Sequence, residues 1–278
     1  VVASLGIQWA QSNTIAPSGL KKITDLLRPC LNKAVSEGVI HKNPCDDVLL
    51  PKESCIETET KKQFSLSDTE ISQMRDASLS RYKTTKEYRS RDAFVLLLII
   101  NLGLRVGEAV ALEWSDIDFN NRLIYIRKIL QSNIMKTADG EGGKKVYSRI
   151  KKSSKTSAGV RILQLNKEVV WYLNELKEYD KRNNIQSQYI ACTNVGTRNT
   201  PRNLQRSLDR LIRNTTIDKN VTLHTLRHTF GSTLLRRGIR IEVVSKLMGH
   251  ANISVTYNKY IHTIKEEEAK AMNMVKVC

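Results

Sequence analysis

Apolar and polar positions alternate along this chain with two different periods, and the longer one dominates. Leu20, Ile23, Leu27, Leu31 and Val35 recur at helical intervals, which predicts a helix starting at Pro17 and stopping before Gly38. Pro29 lies inside that stripe and, having no N–H to donate, is expected to kink or break the helix. Ser67-Asp68-Thr69-Glu70 reads as a helix start, with a carboxylate in the first turn. The segment from Arg91 to Asn101 is nearly all apolar, so no face is left for water and the helix belongs at the centre of the larger core. A helix over 167–182 turns Val170, Leu173, Leu176 and Tyr179 to one side, and the next carries Leu204, Leu208, Leu211 and Ile212. Leu226, Phe230 and Leu234 predict a helix from Thr225 to Arg237, and a short one from Ile241 to Met248 ends at Gly249. Ile253, Tyr257, Tyr260, Ile261 and Ile264 mark another, and Lys265 to Cys278 a tail helix with Ala269, Met272 and Val275 on one side.

Between Ile117 and Leu165 the period shortens to two. Leu123, Tyr125 and Arg127 alternate with Ile124 and Ile126, and Val160 to Leu165 is again strand-like. The chain therefore reads as α+β, mostly helical with a small antiparallel sheet. Residues 51–63, PKESCIETETKKQ, have almost no apolar content and read as a connection. This predicts a small all-α unit over 1–52, a linker over 53–65 and a larger domain over 66–278, for which 278 residues leave room. The longest apolar run, Ala93 to Ile100, is too short to span a bilayer and no secretory signal opens the chain, so no membrane association is expected. Five scattered cysteines, odd in number and without metal-ligand spacing, fit a reducing, cytoplasmic setting.

Charge narrows the partner. Lys and Arg number 45 against 28 Asp and Glu, a net +17 that points to a polyanion, most simply nucleic acid, over a basic but unspecialised protein. Lys144, Lys145, Arg149, Lys151, Lys152, Lys155 and Arg161 follow one another with no acid between them. A solvated hairpin is the plain alternative, but a hairpin set against DNA phosphates is the better reading, since counterion release rewards such a cluster. Arg202, Arg206, Arg210 and Arg213 recur at helical spacing with only Asp209 opposing them, and Lys21 and Lys22 lie off the first apolar stripe. All are candidate DNA contacts.

The candidate chemistry lies in two stretches. His224 and Arg227 are three apart, so they project from one side of a helix start, where free backbone N–H groups welcome an anion. His250 directly follows Gly249, and Arg105 follows the helix stop at Gly103, where its plainest role is to pair with Glu108. Cleaving a phosphodiester needs charge neutralisation at the non-bridging oxygens, a positioned nucleophile and an acid for the leaving oxygen. Two arginines supply bidentate hydrogen bonds that lysine does not match, and a tyrosine, with its pKa of about 10, needs that cationic surrounding to attack. A phosphotyrosine bond keeps the energy of the broken linkage, so another strand can be joined without ATP, which is the logic of recombination and not of hydrolysis. The competing reading of His224 and His228 as a zinc pair lacks the metalloprotease glutamate and a third ligand.

These motifs carry a resemblance. HTLRHTF from His224, LMGH ending at His250, and Tyr260-Ile261-His262 resemble the C-terminal signature of the tyrosine recombinases, or phage-type integrases. Gly103-Leu104-Arg105-Val106-Gly107-Glu108, followed by Leu112-Glu113-Trp114-Ser115-Asp116-Ile117-Asp118, resembles that family's first arginine motif. The likeness covers about the last 215 residues; residues 17–52 more loosely resemble the end of its DNA-clamping core-binding domain, whose missing earlier helices suggest a fragment. It implies that Tyr260 is the nucleophile, forming a 3′-phosphotyrosine. Lys155, in a K-T-x-x-x-x-R pattern ending at Arg161, protonates the departing 5′ oxygen, with Lys151 and Lys152 as less well spaced rivals. Arg105 and Arg227 hold the phosphate, His224 assists proton transfer, and His250 supports the phosphate or the tyrosine. No metal or other cofactor is implied. Tyr260 lies ten residues after His250, the spacing of many phage and conjugative-transposon integrases where Xer-type resolvases show nine, and this favours it over Tyr257.

The resemblance further implies double-stranded DNA as partner, a homotetramer on two duplexes, a C-terminal helix docking on a neighbouring protomer, an accessory DNA-bending or excision factor, and the integration and excision of a mobile element. A chromosome resolvase or a type IB topoisomerase-like enzyme is the runner-up. A non-catalytic DNA-binding protein fits less well, because all six active-site positions hold competent residues.

Overall fold

The computed structural model describes residues 17–46, 64–136, 143–152 and 159–274. The chain divides into two compact units, Val1–Lys62 and Gln63–Cys278. In the first, helix α1 (Pro17–Ser36) runs on through Pro29, so of the kink or break expected there the break does not occur. Asn43 stabilises the following turn by donating to the Arg28 carbonyl (3.1 Å), and the Arg28 guanidinium reaches Asp46 (2.7 Å) and the Cys45 carbonyl (2.9 Å). Lys21 and Lys22 are exposed on this helix.

In the second unit the helices begin where side chains can cap them. Ser67 and Glu70 form a reciprocal capping box on α2 (Asp68–Ser78), a device that contributes about 1 kcal/mol. The nearly all-apolar α3 (Asp92–Leu102) is buried along its length, and the short α4 (Val106–Ala109) follows it. Strands β1 (Ile117–Asp118), β2 (Leu123–Ile126) and β5 (Arg161–Gln164) form an antiparallel sheet in the order β1-β2-β5. Strands β3 (Lys128–Lys136) and β4 (Gly143–Lys152) pair separately as a two-stranded ribbon, with a register shift at Gln131/Ser132.

Asn166 caps α5 (Lys167–Arg182), Thr200 caps α6 (Pro201–Ile212) and Thr222 caps α7 (Leu223–Arg236). Helices α8 (Ile241–Met248) and α9 (Ile253–Met274) complete the described chain. The two last helices expected from the sequence are one, since α9 runs from Ile253 through the proposed start of the tail. Helix α3 is packed by α2, α5, α6 and α7, and this cluster continues onto Ile124, Ile126 and Leu163 of the sheet. Phe64, within the stretch expected to be linker, packs on the same core. A second, smaller cluster gathers Leu235, Val244, Met248 and Tyr260. The fold is α+β, mostly helical with a small antiparallel sheet. Among the described residues no helix is long and apolar enough to cross a membrane.

Candidate active site

Helix α3 stops because Gly103 turns left-handed (φ +60°), and a side chain there would also run into the Phe230 ring. This abrupt stop leaves the Gly103 carbonyl facing α7, where Arg227 Nη1 donates to it at 2.6 Å. Arg227 Nη2 donates to the Met248 carbonyl (2.6 Å) and lies 3.2 Å from His250 Nε2. Two helix ends thus anchor one buried guanidinium, which is 2% exposed. Arg105 sits at the N-terminus of α4 and donates from Nη1 to Glu108 Oε1 (2.7 Å) and from Nη2 to the Gly249 carbonyl (2.7 Å). Its pairing with Glu108 is therefore real, but it is not the whole of its role in the structure.

Glu108 is the shared counter-ion. Along β5 burial alternates, so Arg161 and Leu163 face inward while Ile162 and Gln164 face out. Arg161 meets Glu108 through two parallel bonds (3.0 and 2.9 Å) and donates from Nε to the Leu247 carbonyl (2.8 Å). Arg227 Nη1 stands 3.9 Å from the same carboxylate. Burial raises the Glu108 pKa, but the hydrogen bonds and charge of Arg161, with the charge of Arg105, outweigh it and hold the group ionised. Three guanidiniums surround one carboxylate, and the surplus is positive.

That surplus reaches the histidines. His250 Nδ1 is 2.8 Å from Thr256 Oγ1; burial first, then Arg227 and Arg105, push its pKa down to about 4. It is neutral at pH 7. His224 lies at the exposed first turn of α7 with Nε2 2.7 Å from Lys259 Nζ, and burial, Lys259 and Arg227 lower its pKa as well. A neutral His224 accepts that hydrogen bond. Burial and then Arg105 lower the Arg227 pKa while Glu108 opposes them, yet a guanidinium has margin enough to remain charged.

Tyr260 lies beside this cluster but turns away from it. The ring is 1% exposed, stacks on His228 (4.6 Å, 10°), and its hydroxyl donates to Met248 Sδ at 3.3 Å. The approach is close enough that a methyl on Gly231 would overlap the hydroxyl. Burial raises the Tyr260 pKa, with Arg227 the charge that opposes the rise. Tyr257, its rival, is 45% exposed. The zinc alternative separates at the same place: His228 faces the Tyr260 ring while His224 faces Lys259.

What this arrangement can do is bind a tetrahedral anion beside a tyrosine-bearing helix. Among known proteins, the Phage integrase family matches residues 65–267. The chain belongs to the phage integrase family. This integrase-family chain is 28% identical over 267 residues to a "Tyrosine recombinase XerC-like" protein of Caldanaerobacter subterraneus subsp. tengcongensis, covering 91% of the chain and 64% of that protein. It is 27% identical over 249 residues to "Tyrosine recombinase XerD" of Lacticaseibacillus casei, covering 88% and 73%. The chain thus spans just under two thirds of the length of the first of these relatives. In fold it is similar to the Tn1549 transposon integrase in complex with a circular intermediate DNA (TM-score 0.70, 22% identity, 99% of this chain and 84% of that one) and to the XerA recombinase (TM-score 0.55, 20%, 95% and 85%).

The structure brings Arg105, His224, Arg227 and His250 together and sets Tyr260 next to them. Lys155 lies outside the described residues. Lys144, Lys145, Lys151 and Lys152 fall on β4. Arg202, Arg206 and Arg210 are exposed on α6, and Arg206, Arg210 and Arg213 line an open cleft of about 900 Å³ that none of the clustered site residues lines. Sequence reasoning named Arg161 and Glu108 without placing them in the site. The inward strand position of Arg161 was the available signal for one, and the three-residue spacing from Arg105 for the other. Lys259 carried no periodic or motif signal at all.

Proposed function

We propose that this chain cleaves and rejoins duplex DNA at specific sites through a 3′-phosphotyrosine, integrating and excising a mobile element. The observation that carries this reading is the surplus of guanidinium over carboxylate around Glu108, next to the helix that bears Tyr260. Arg105 and Arg227 bind the non-bridging oxygens of the scissile phosphate and stabilise the charge that builds there. Tyr260 Oη attacks phosphorus and its proton passes to neutral His224. The bond from phosphorus to the 5′ oxygen breaks, and Lys155 supplies the proton to that oxygen. His250 orients Arg227 through its Nε2 contact. Because the Tyr260 hydroxyl rests on Met248 in this structure, α9 has to shift before attack.

Lys144, Lys145, Lys151, Lys152, Arg202, Arg206 and Arg210 are assigned to the DNA backbone, and residues 1–52, with Lys21 and Lys22, to a DNA clamp. A homotetramer holding two duplexes, with the tail from Lys265 onward docked on a neighbouring protomer and an accessory bending or excision factor, completes the assembly. The likeness to the Tn1549 integrase bound to a circular intermediate DNA supports DNA as the partner. A chromosome-resolving role is the second reading, favoured by the names of the two sequence relatives.

The test is covalent capture on a suicide DNA substrate. Tyr260→Phe keeps DNA binding and forms no adduct, and Tyr257→Phe forms it. An adduct from Tyr260→Phe that Tyr257→Phe lacks overturns the assignment.

A further inference from the structure

Lys259 precedes Tyr260 on α9, so about 100° of helical rotation separates their side chains. Tyr260 enters the core, while Lys259 reaches across to the first turn of α7, its ammonium 2.7 Å from His224 Nε2. Lys259 is half-buried, and among the described residues no carboxylate forms an ion pair with it. The charged groups that act on it are Arg227 and Arg105, and the carboxylate between those two is already taken up by Arg161. A cation drawn partly out of water toward two other cations is in an unfavourable place until an anion joins them. Burial, then Arg227 and Arg105, lower its pKa to about 8, the direction expected of an ammonium held without its counter-ion, and it stays largely charged at pH 7.

We propose that Lys259 is a further catalytic residue of strand cleavage, its ammonium donating to a non-bridging oxygen of the scissile phosphate beside Arg105 and Arg227. The proposal rests on the phosphodiester-cleaving reading of this cleft. It also gives the contact with His224 a use: when the phosphate arrives, Lys259 turns to it and leaves Nε2 free to take the tyrosine proton. The plainer role, a clasp between α9 and the start of α7, is a poor use of a cation at this place. A neutral donor would hold His224 without repelling the arginines.

The two roles separate on charge. Single-turnover adduct formation is measured on a suicide substrate with an ordinary scissile phosphodiester and on one with a methylphosphonate, in which an uncharged methyl replaces one non-bridging oxygen. Lys259→Met slows cleavage of the phosphodiester by on the order of 10²-fold, and Lys259→Arg, which keeps the charge, recovers most of the rate. On the neutral methylphosphonate the deficit of Lys259→Met relative to wild type disappears, because the charge it neutralised is gone. Equal slowing on both linkages makes Lys259 a structural clasp, and no slowing on either makes it a bystander; both results overturn the proposal. Duplex binding by each variant, measured by gel shift, separates lost chemistry from lost folding. If Lys259→Met does not fold, Lys259→Gln against Lys259→Arg carries the same contrast. Tyr260→Phe is run alongside, and an adduct from it refutes the reading of the site independently of Lys259.

Discussion

Two buried clusters in the larger unit join arginine to carboxylate, and they differ in one count. Arg91 meets Asp180 through two bonds of 2.6 and 2.7 Å and gives a third to the Cys192 carbonyl, so one charge cancels one charge and α3 is tied to α5. Around Glu108, Arg105, Arg161 and Arg227 share a single carboxylate, and each donates as well to backbone carbonyls at the ends of α3 and α8. A balanced buried pair is complete without a ligand. An unbalanced one is held in place by uncharged partners and leaves charge to be answered from outside. The first cluster is architecture, and the second, built from the same chemistry, is the one proposed to take the phosphate.

The largest effect should come from the balanced pair. Asp180→Ala strands a buried guanidinium and is expected to cost about 3–5 kcal/mol in urea unfolding, with DNA cleavage per folded molecule unchanged. A loss under about 1 kcal/mol would mean that Arg91 finds another anion, and the contrast between the clusters would fail.

Next comes the unbalanced cluster, read in rate. The Arg105 side chain is about a third exposed, so Arg105→Ala should leave stability within about 1 kcal/mol while cutting adduct formation by roughly 10²–10³-fold. Were stability to fall and rate per folded molecule to hold, Arg105 would belong with Arg91 as architecture.

The smallest effect is a pH dependence. His250 is held near pKa 4 in the folded chain by burial and by the arginines, against about 6.5 when unfolded. Between those values the unfolded chain binds the extra proton, so the contribution to stability is complete above about pH 6.5 and is lost as the pH falls toward 4. Urea midpoints should therefore drop between pH 7 and pH 5, and His250→Gln should flatten part of that slope. An equal slope in the variant would place the titration elsewhere.

Much of the fold was legible because its signals are local. An all-apolar run has to be central, as α3 is, and a hydroxyl or amide ahead of an amphipathic run starts a helix, as Ser67, Asn166, Thr200 and Thr222 do. At Pro29 the break is excluded because one missing donor leaves the rest of the helix's hydrogen bonds in place. The positions of four residues of the candidate site were legible too, since His224 and Arg227 share a helix turn and both Arg105 and His250 stand just past a glycine stop.

By itself, then, the amino-acid order determined which residues face one side of each element, where each element ends, and which types of side chain are on hand for phosphate chemistry. Tertiary structure alone decided how their charges add. Arg227 finds its carbonyl 124 residues away and Arg105 finds its own 144 residues away, distances over which no periodicity speaks. Arg161 joins Glu108 because β5 pairs with β2 in one register, Ile126 opposite Arg161, and a slip of one residue would turn its guanidinium outward. The Tyr260 hydroxyl rests on Met248 because Gly231 leaves room for it, and Lys259 lies half-buried among cations because α9 crosses the start of α7. Electrostatic energy depends on separation in space, and chain order sets that separation only within a turn or two of helix.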